Sequence, residues 1–231
     1  MMPASQMSTR GVLVIVSSPS GAGKTTLTKR LLEEFKGQLE FSVSYTTRPM
    51  RAGEVDGRDY HFVGIDKFEE MARNHEFAEH AFVFDNRYGT AAAPIEDALA
   101  HGRDVIFDVD WQGGKVLSAR WPDDCLKVFI LPPDLCALER RLRQRATDTA
   151  DVIERRNRKA HDELEHYGEY QHLIVNDDIE RSYALLRGIY LTRKYGEVSL
   201  ADVPYDLPAE AERVKQDRDA AWAHAKSLVG K

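Results

Sequence analysis

The residues with the clearest chemical potential lie near the start of the chain, directly after a short apolar run. Residues 18–26 read Ser-Pro-Ser-Gly-Ala-Gly-Lys-Thr-Thr and follow the run 12–16. A glycine-rich turn between a strand and a helix points successive backbone N–H groups at phosphate oxygens, and the helix adds the positive end of its dipole. Lys24 supplies a charge for the β- and γ-phosphates, and the Thr25 hydroxyl is a ligand for Mg²⁺. We therefore expect a nucleoside triphosphate site.

One position departs from the usual pattern of such a phosphate-binding loop (P-loop). The pattern has glycine five residues before Gly23, and Ser18 stands there. The alternative interpretation is an ordinary turn with a surface lysine, but Gly23, Lys24 and Thr25 together at a strand-to-helix junction favour the phosphate site. The candidate triphosphate-binding residues of the loop are Ser18, Pro19, Ser20, Gly21, Ala22, Gly23, Lys24, Thr25 and Thr26.

Two arginines around a proline form a second candidate anion site. Arg48 and Arg51 flank Pro49, and Tyr60 follows in the same segment. Two guanidinium groups can hold one phosphate dianion from two sides, and a tyrosine hydroxyl can complete the cage. The alternative is a solvated charged loop, which is the commoner fate of such stretches. With a triphosphate site present, the phosphate interpretation is the stronger one.

Two carboxylates follow a predicted strand. Asp108 and Asp110 are two residues apart, so in an extended chain their side chains face the same side. Two such carboxylates suit either Mg²⁺ coordination or hydrogen bonding to a polar ligand. The candidate Mg²⁺ ligands are Asp108 and, from the P-loop, Thr25. The alternative is a capping or turn role at the end of the strand.

A basic cluster lies further along the chain. Residues 140–158 contain seven arginines and three acids, a local charge of +4 in a chain whose net charge is −6. Arg141 and Arg145 are four residues apart and share one helix face. A solvated helix face is the alternative interpretation, but phosphoryl transfer needs cations over the migrating group, and arginines on a closing lid supply them.

These residues need a scaffold, and four short apolar runs indicate a parallel sheet. The runs are rich in β-branched residues and do not alternate, as in strands buried on both faces. They cover residues 12–16, 105–109, 128–131 and 173–175. Polar residues follow most of them, where ligands gather in open α/β sheets. Apolar residues at helical spacing predict helices over 25–35, 135–145 and 179–191. We predict an α/β fold with a parallel sheet core flanked by helices.

The segment between the first two predicted core strands has a different pattern. It alternates in places and contains Gly53, Gly57 and Gly64, which indicates a small inserted mixed-β lobe with helices near 68–74 and 94–101. An extended linker after residue 195 leads to a polar helix over 209–228. Its Trp222 packs either on the core or on another subunit, and the sequence is compatible with both. A homo-oligomer is therefore also compatible with the sequence.

Composition narrows the class of protein. A hydrophobic share of 42% is enough for a globular core. The net charge of −6 gives no global basic field, so we expect no nucleic acid partner and only local anion sites. Two cysteines support neither a disulfide framework nor a zinc site and favour a reducing, cytoplasmic location. No apolar stretch has the length of a membrane span, so we expect no membrane partner.

The chain resembles guanylate kinase, the nucleoside monophosphate kinase family that phosphorylates GMP. The matching order and spacing extend from about residue 11 to residue 195. Beyond the P-loop, the Thr-Thr-Arg and Gly-Glu-Val segments and the Asp-Trp-Gln-Gly run are the more specific features. The matching segments are 18–26, 44–60, Glu79, 88–90, 108–113, 141–145 and 174–178.

The resemblance implies a P-loop NTPase-type core, an inserted lobe that binds the nucleoside monophosphate, and a helical arginine-rich lid. It also implies direct in-line transfer from ATP, with Mg²⁺, to GMP and dGMP in purine metabolism. Its implied guanine contacts are Ser44, Glu79, Thr90 and Asp110, and its implied GMP phosphate contacts are Arg48, Arg51, Tyr60 and Tyr88. The P-loop and Asn176 would bind ATP, the latter near the base. The implied catalytic residues are Lys24, Arg48, Arg141, Arg145 and Arg156.

The implied organisation has five parts. They are a lead-in over 1–10, a core over 11–43, 101–139 and 158–195, a GMP-binding lobe over 44–100, a lid over 140–157, and a C-terminal linker and helix over 196–231. Gln144 and Ala146 replace two glycines usual in the family's lid, which predicts a stiffer or differently shaped hinge.

Two other functions are alternatives to GMP phosphorylation. Guanylate kinase-like domains of scaffold proteins bind peptides without catalysis, but the intact Gly23-Lys24-Thr25 segment argues against this class. A related family phosphorylates a phosphorylated sugar. Ser44 and Glu79 favour a purine acceptor instead, because a fixed carboxylate accepts both N1–H and N2–H₂ of guanine, whereas adenine offers a bare N1 acceptor.

Overall fold

The structure is a computed structural model, and it describes residues 10–83, 85–143, 150–197, 200 and 203–230. The strands are β1 Leu13–Ser17, β2 Leu39–Phe41, β3 Tyr45–Thr46, β4 His61–Phe62, β5 Phe77–Val83, β6 Asn86–Ala91, β7 Asp104–Asp108, β8 Cys125–Leu131 and β9 His172–Val175. The α-helices are α1 Lys24–Glu34, α2 Ile65–Arg73, α3 Ala92–Ala100, α4 Trp111–Arg120, α5 Leu135–Arg143, α6 Ala150–Glu165, α7 Ile179–Tyr195 and α8 Leu207–Val229.

The core is a five-stranded parallel sheet in the order β2-β7-β1-β8-β9. All five residues of β1 are buried, because helices cover both faces of the sheet. Val14 and Val16 pack toward α1 and α7, whereas Leu13 and Ile15 pack toward α3 and α4. This two-sided burial explains the unalternated apolar run, and the four predicted core strands are confirmed. Strand β2 is not predicted from the sequence, because its short edge segment is mostly exposed.

The inserted segment forms a second, smaller sheet in the order β4-β3-β6-β5. It is mixed, since β3 pairs in parallel with β4 but antiparallel with β6, and β5 pairs antiparallel with β6. Helix α2 closes one side of this sheet through Phe68 and Met71, which pack with Phe77. The predicted mixed-β character of the insertion is therefore confirmed.

The C-terminal helix α8 packs on this chain's own core. Leu207 joins the cluster around α1 and α7, and Ala221, Ala225 and Leu228 join a cluster with Leu164 of α6. Trp222 belongs to the second cluster and contacts Tyr167 edge-to-face, with ring centroids 5.6 Å apart. Trp222 therefore packs on the core of its own chain, which is one of the two placements expected from the sequence. Within the described ranges, no helix has the length and apolarity needed to cross a bilayer.

Candidate active site

The loop between β1 and α1 has the backbone shape of an anion cradle. Gly21 and Gly23 have φ values of 95° and 99°, which L side chains rarely adopt. A Cβ on Gly23 would also lie 2.2 Å from Asn176 Nδ2. Ser18 is not among the described non-glycine residues with positive φ, so its backbone conformation does not require the glycine of the usual pattern. Helix α1 begins at Lys24 without a side-chain cap, which leaves its first N–H groups available to a phosphate.

Lys24 extends from this loop to the end of β7. Its Nζ forms an ion pair with Asp108 and donates to the carbonyl oxygen of Val109 at 3.4 Å. The cavity above the loop has a volume of about 260 Å³. It is lined by Ser18, Ser20, Gly21, Gly23, Lys24, Thr25, Thr26, Asp110 and Glu163.

A second cavity, of about 220 Å³, lies between the core and the inserted lobe. Its lining includes Ser44, Tyr60, Glu79, Ala81, Tyr88, Asp108, Val109, Asp110, Gly113 and Lys159. Asp110 lines both cavities, so the two cavities adjoin. Asp110 also caps α4 by accepting from the Gly113 N–H at 3.1 Å. Asp110 can therefore cap α4 and contact a ligand at the same time, although the sequence presented these two roles as alternatives.

Glu79 is held in this second cavity by a short hydrogen bond. The Thr90 hydroxyl donates to Glu79 Oε1 at 2.6 Å, and the Ser44 and Thr90 hydroxyl oxygens are 3.2 Å apart. Burial raises the pKa of Glu79, and the Thr90 hydrogen bond opposes that effect. Three of the four residues predicted for the base thus form one connected polar group on β5, β6 and the segment before β3.

The guanidinium group of Arg48 is fixed beside the same cavity. Glu54 accepts from Arg48 Nη2 at 2.7 Å and from Nη1 at 3.0 Å, and it also accepts from the backbone N–H of Arg51 at 2.7 Å. These hydrogen bonds raise the pKa of Arg48 and lower that of Glu54. The Arg48 guanidinium carbon lies 5.4 Å from the Tyr60 ring centroid, and the Tyr60 and Tyr88 rings are 5.9 Å apart. Arg51 is exposed.

Two predicted residues contact the backbone of the P-loop. Asn176 is buried and donates to the Ala22 carbonyl at 2.7 Å. Arg141 Nη1 lies 3.3 Å from the Gly21 carbonyl and 3.4 Å from that of Ala22. In this structure both residues position the loop. Arg145 lies outside the described residues, as do the lid positions Gln144 and Ala146, and Arg156 lies in α6 with its side chain outside them.

Comparison with known proteins identifies the family. The sequence model described as "Guanylate kinase" matches residues 10–191. The chain belongs to the guanylate kinase family. It is 56% identical over 180 residues to a guanylate kinase of Rhodopseudomonas palustris, covering 78% of this chain and 81% of the relative. It is 52% identical over 180 residues to that of Maricaulis maris, covering 78% and 82%.

A solved structure agrees with this assignment. The crystal structure of guanylate kinase from Anaplasma phagocytophilum matches with a TM-score of 0.67 at 32% identity, covering 83% of this chain and 90% of that one. The chain is therefore a kinase with the P-loop type of core expected from its sequence. Guanylate kinases are nucleotide kinases, which generally use a divalent metal together with ATP. Helix α8 lies outside the residues that the family model matches.

Three residues that line or support the site were not among those predicted from the sequence: Glu54, Lys159 and Glu163. Glu54 lies in the Gly-Glu-Val segment that carried the resemblance, so its pairing with Arg48 could have been inferred. Lys159 and Glu163 are four residues apart on α6, a spacing typical of exposed helix pairs. That spacing predicts a solvated face, yet Glu163 is 7% exposed and accepts from the Ser20 N–H of the P-loop at 3.1 Å.

Proposed function

We propose that this chain transfers the γ-phosphoryl group of ATP to GMP by direct in-line displacement, giving ADP and GDP. One observation carries the proposal: the P-loop cavity adjoins a cavity that contains a fixed carboxylate, Glu79, and that has a fixed guanidinium, Arg48, beside its lining residue Tyr60. The first cavity suits a triphosphate, and the second suits a purine monophosphate that carries hydrogen-bond donors.

In the acceptor cavity, Glu79 selects guanine. Its carboxylate accepts from N1–H and N2–H₂, while Thr90, Ser44 and Asp110 complete the polar surroundings of the base. Adenine offers an acceptor at N1, which would face a carboxylate without a proton between them. A site built on such hydrogen bonds discriminates by about 10⁴-fold or more.

The phosphate of GMP binds to Arg48, Arg51, Tyr60 and Tyr88. Glu54 keeps the Arg48 guanidinium in place before the substrate arrives, which lowers the entropic cost of ordering it. None of the proposed contacts involves the ribose 2′-hydroxyl, so dGMP is a second acceptor. No general base is required, because a phosphate dianion is already a nucleophile and catalysis consists of positioning and charge neutralisation.

The donor phosphates lie on the P-loop amides and Lys24, with Arg141, Arg145 and Arg156 supplying further positive charge. Thr25 at the start of α1 and Asp108 at the end of β7 are the oxygen ligands we propose for Mg²⁺. Hard oxygen donors suit this ion, which proteins usually hold through one or two side chains together with substrate phosphates. Bound Mg²⁺ neutralises charge on the β- and γ-phosphates. Lys24 and Asp108 form an ion pair here, so binding of ATP·Mg²⁺ would redirect both groups.

An acceptor panel tests this function. Coupled ADP release is measured with GMP, dGMP, AMP and a phosphorylated pentose, each with ATP and Mg²⁺. We expect turnover with GMP and dGMP and little with the others. Lys24→Ala should abolish turnover, whereas Lys36→Ala, which removes an exposed lysine just after α1, should not. ATP binding without turnover of any acceptor would instead indicate a binding module, and turnover of the pentose phosphate alone a sugar phosphate kinase.

We also propose a cytoplasmic location, because Cys136 is an exposed free thiol and Cys125 a buried one, as in proteins of reducing compartments. Cell fractionation tests this location. Light scattering of the purified chain measures whether it forms the homo-oligomer that the sequence leaves open.

A further inference from the structure

Lys159 of α6 lies where the two cavities adjoin. Its side chain lines the acceptor cavity, and its Nζ is 3.8 Å from Glu163 Oε1. Glu163 in turn lines the P-loop cavity and accepts from the Ser20 N–H at 3.1 Å. The ammonium group is therefore on the side of the acceptor cavity that faces the triphosphate site. A direct transfer requires the acceptor phosphate to lie on that same side.

The charges around the acceptor cavity favour a cation at this position. The cavity lining contains three carboxylates, those of Glu79, Asp108 and Asp110, and the phosphate of GMP brings about two more negative charges. Among the described residues that line the cavity, Lys159 is the one with a positive charge. Lys159 is therefore the lining group that attracts a phosphate dianion most strongly.

The cations of the site differ in how closely a carboxylate of the protein holds them. The Arg48 guanidinium donates two hydrogen bonds to its carboxylate partner, at 2.7 Å and 3.0 Å, and Lys24 forms a close ion pair with its own partner. The 3.8 Å between Lys159 Nζ and Glu163 Oε1 is longer than a hydrogen bond. Glu163 thus keeps Lys159 near the boundary of the two cavities by the attraction of opposite charges, without a hydrogen bond between them.

We propose that Lys159 is a further acceptor-binding residue, whose ammonium group contacts the phosphate of GMP on the side that faces the triphosphate. This role rests on the proposed function and adds one residue to the phosphate contacts given there. It agrees with a closing lid, because Arg156 precedes Lys159 by three residues on α6, and a movement of the helix carries both residues together. A positive charge at this point neutralises charge on the attacking and transferred groups.

The test compares Lys159→Met with Arg158→Met, which removes a positive charge from the adjacent, exposed position of the same helix. Calorimetry measures the Kd of GMP and of guanosine, which has the same base and ribose but no phosphate. We expect the Kd of GMP to rise about tenfold in Lys159→Met, equivalent to about 1.4 kcal/mol, and the Kd of guanosine to stay unchanged. The Lys159 side chain is 35% exposed, so water screens the contact and keeps the loss moderate.

The dependence on the phosphate separates this role from a structural one. A substitution that only damages the site, or one that removes a contact to the base or ribose, would weaken the binding of GMP and guanosine alike. Lys159→Arg keeps the charge and should bind GMP with nearly wild-type affinity, as should Arg158→Met. Equal losses for both ligands, an unchanged Kd of GMP in Lys159→Met, or no recovery in Lys159→Arg would each overturn the proposal.

A measurement on the wild-type chain covers the case in which Lys159→Met does not fold. Acetic anhydride acetylates accessible lysines, and mass spectrometry gives the rate at each position. GMP should slow the acetylation of Lys159 more than guanosine does, whereas Lys115, an exposed lysine of α4, should react at the same rate with either ligand. Equal slowing of Lys159 by the two ligands would also overturn the proposal.

The two hypotheses fail separately. A wild type that does not phosphorylate GMP refutes the proposed function, whereas a wild type that phosphorylates GMP without these effects at Lys159 refutes only this inference.

Discussion

Replacing Glu79 with glutamine tests the basis of acceptor selection. The variant keeps the shape of the side chain, and its amide oxygen can still accept from the Thr90 hydroxyl, which donates to Glu79 Oε1 at 2.6 Å. The amide NH₂ then replaces Oε2, which lies on the Gly113 side of the cavity. In the variant, an N–H donor of guanine would therefore face the NH₂ donor of the glutamine. In the wild type, the same guanine donor faces a carboxylate oxygen.

The expected loss follows from the hydrogen bonds involved. Hydrogen bonds to a charged group contribute about 1.5–3 kcal/mol each. Losing one of the two guanine bonds and weakening the other costs about 3 kcal/mol, which lowers kcat/KM for GMP about a hundredfold. AMP gains nothing from the carboxylate, so its kcat/KM should stay the same or rise. Steady-state assays with both acceptors measure the ratio, and Glu76→Gln, an exposed position just before β5, is the control.

The same substitution has an opposite effect on stability. Burial raises the pKa of Glu79 in the folded state, so this group favours folding below its ordinary pKa and loses that contribution as the pH rises through the raised value. At pH 8 the wild type therefore buries a charge that the variant lacks. We expect Glu79→Gln to melt at a higher temperature than the wild type at pH 8, with the difference shrinking toward pH 4. Equal losses with GMP and AMP, or a lower melting temperature at pH 8, would refute the reasoning.

Three further changes have defined outcomes. Glu54→Gln loosens the Arg48 guanidinium, so the KM for GMP should rise about tenfold while that for ATP stays constant in steady-state kinetics; an equal rise in both would contradict this. Gly23→Ala forces a side chain into φ 99° and onto Asn176, at a cost of about 1–3 kcal/mol, so the Kd for ATP measured by calorimetry should rise about 5- to 150-fold; wild-type affinity would count against the loop geometry. Deleting residues 196–231 uncovers the apolar contacts of α8, so the melting temperature should fall by about 10 °C, and an unchanged melting curve would exclude a stabilising role.

Much of the core can be predicted from the sequence, because the conformation of its strands and of the phosphate loop depends on residues within single short segments. The unalternated run 12–16 predicts β1 directly, since only a strand with both faces covered has that pattern. The phosphate loop is equally direct, as Gly21 and Gly23 occupy conformations that other residues avoid. Strand β2 escaped detection because it has three residues and only Leu39 is buried.

The parts of the site that the sequence did not reveal depend on distant contacts. Asn176 was expected near the ATP base, and its bond to the Ala22 carbonyl joins residues 154 positions apart. The spacing of Lys159 and Glu163 is that of a solvated pair, and only the packing of α6 against the loop turns Glu163 inward. Sequence patterns report which residues share a face but not what that face meets. The roles proposed for the individual site residues therefore stay predictions.

The order of strands in the core sheet has a consequence for how the chain acquires its shape during synthesis. The first strand, β1, is the central one, and its neighbours are β7 and β8, which begin at Asp104 and Cys125. More than half of the polypeptide must leave the ribosome before β1 has a partner on both sides. Such distant pairings make folding slow and leave apolar strands exposed to aggregation meanwhile. The protein would thus depend most on chaperones while only its amino-terminal half has been synthesised.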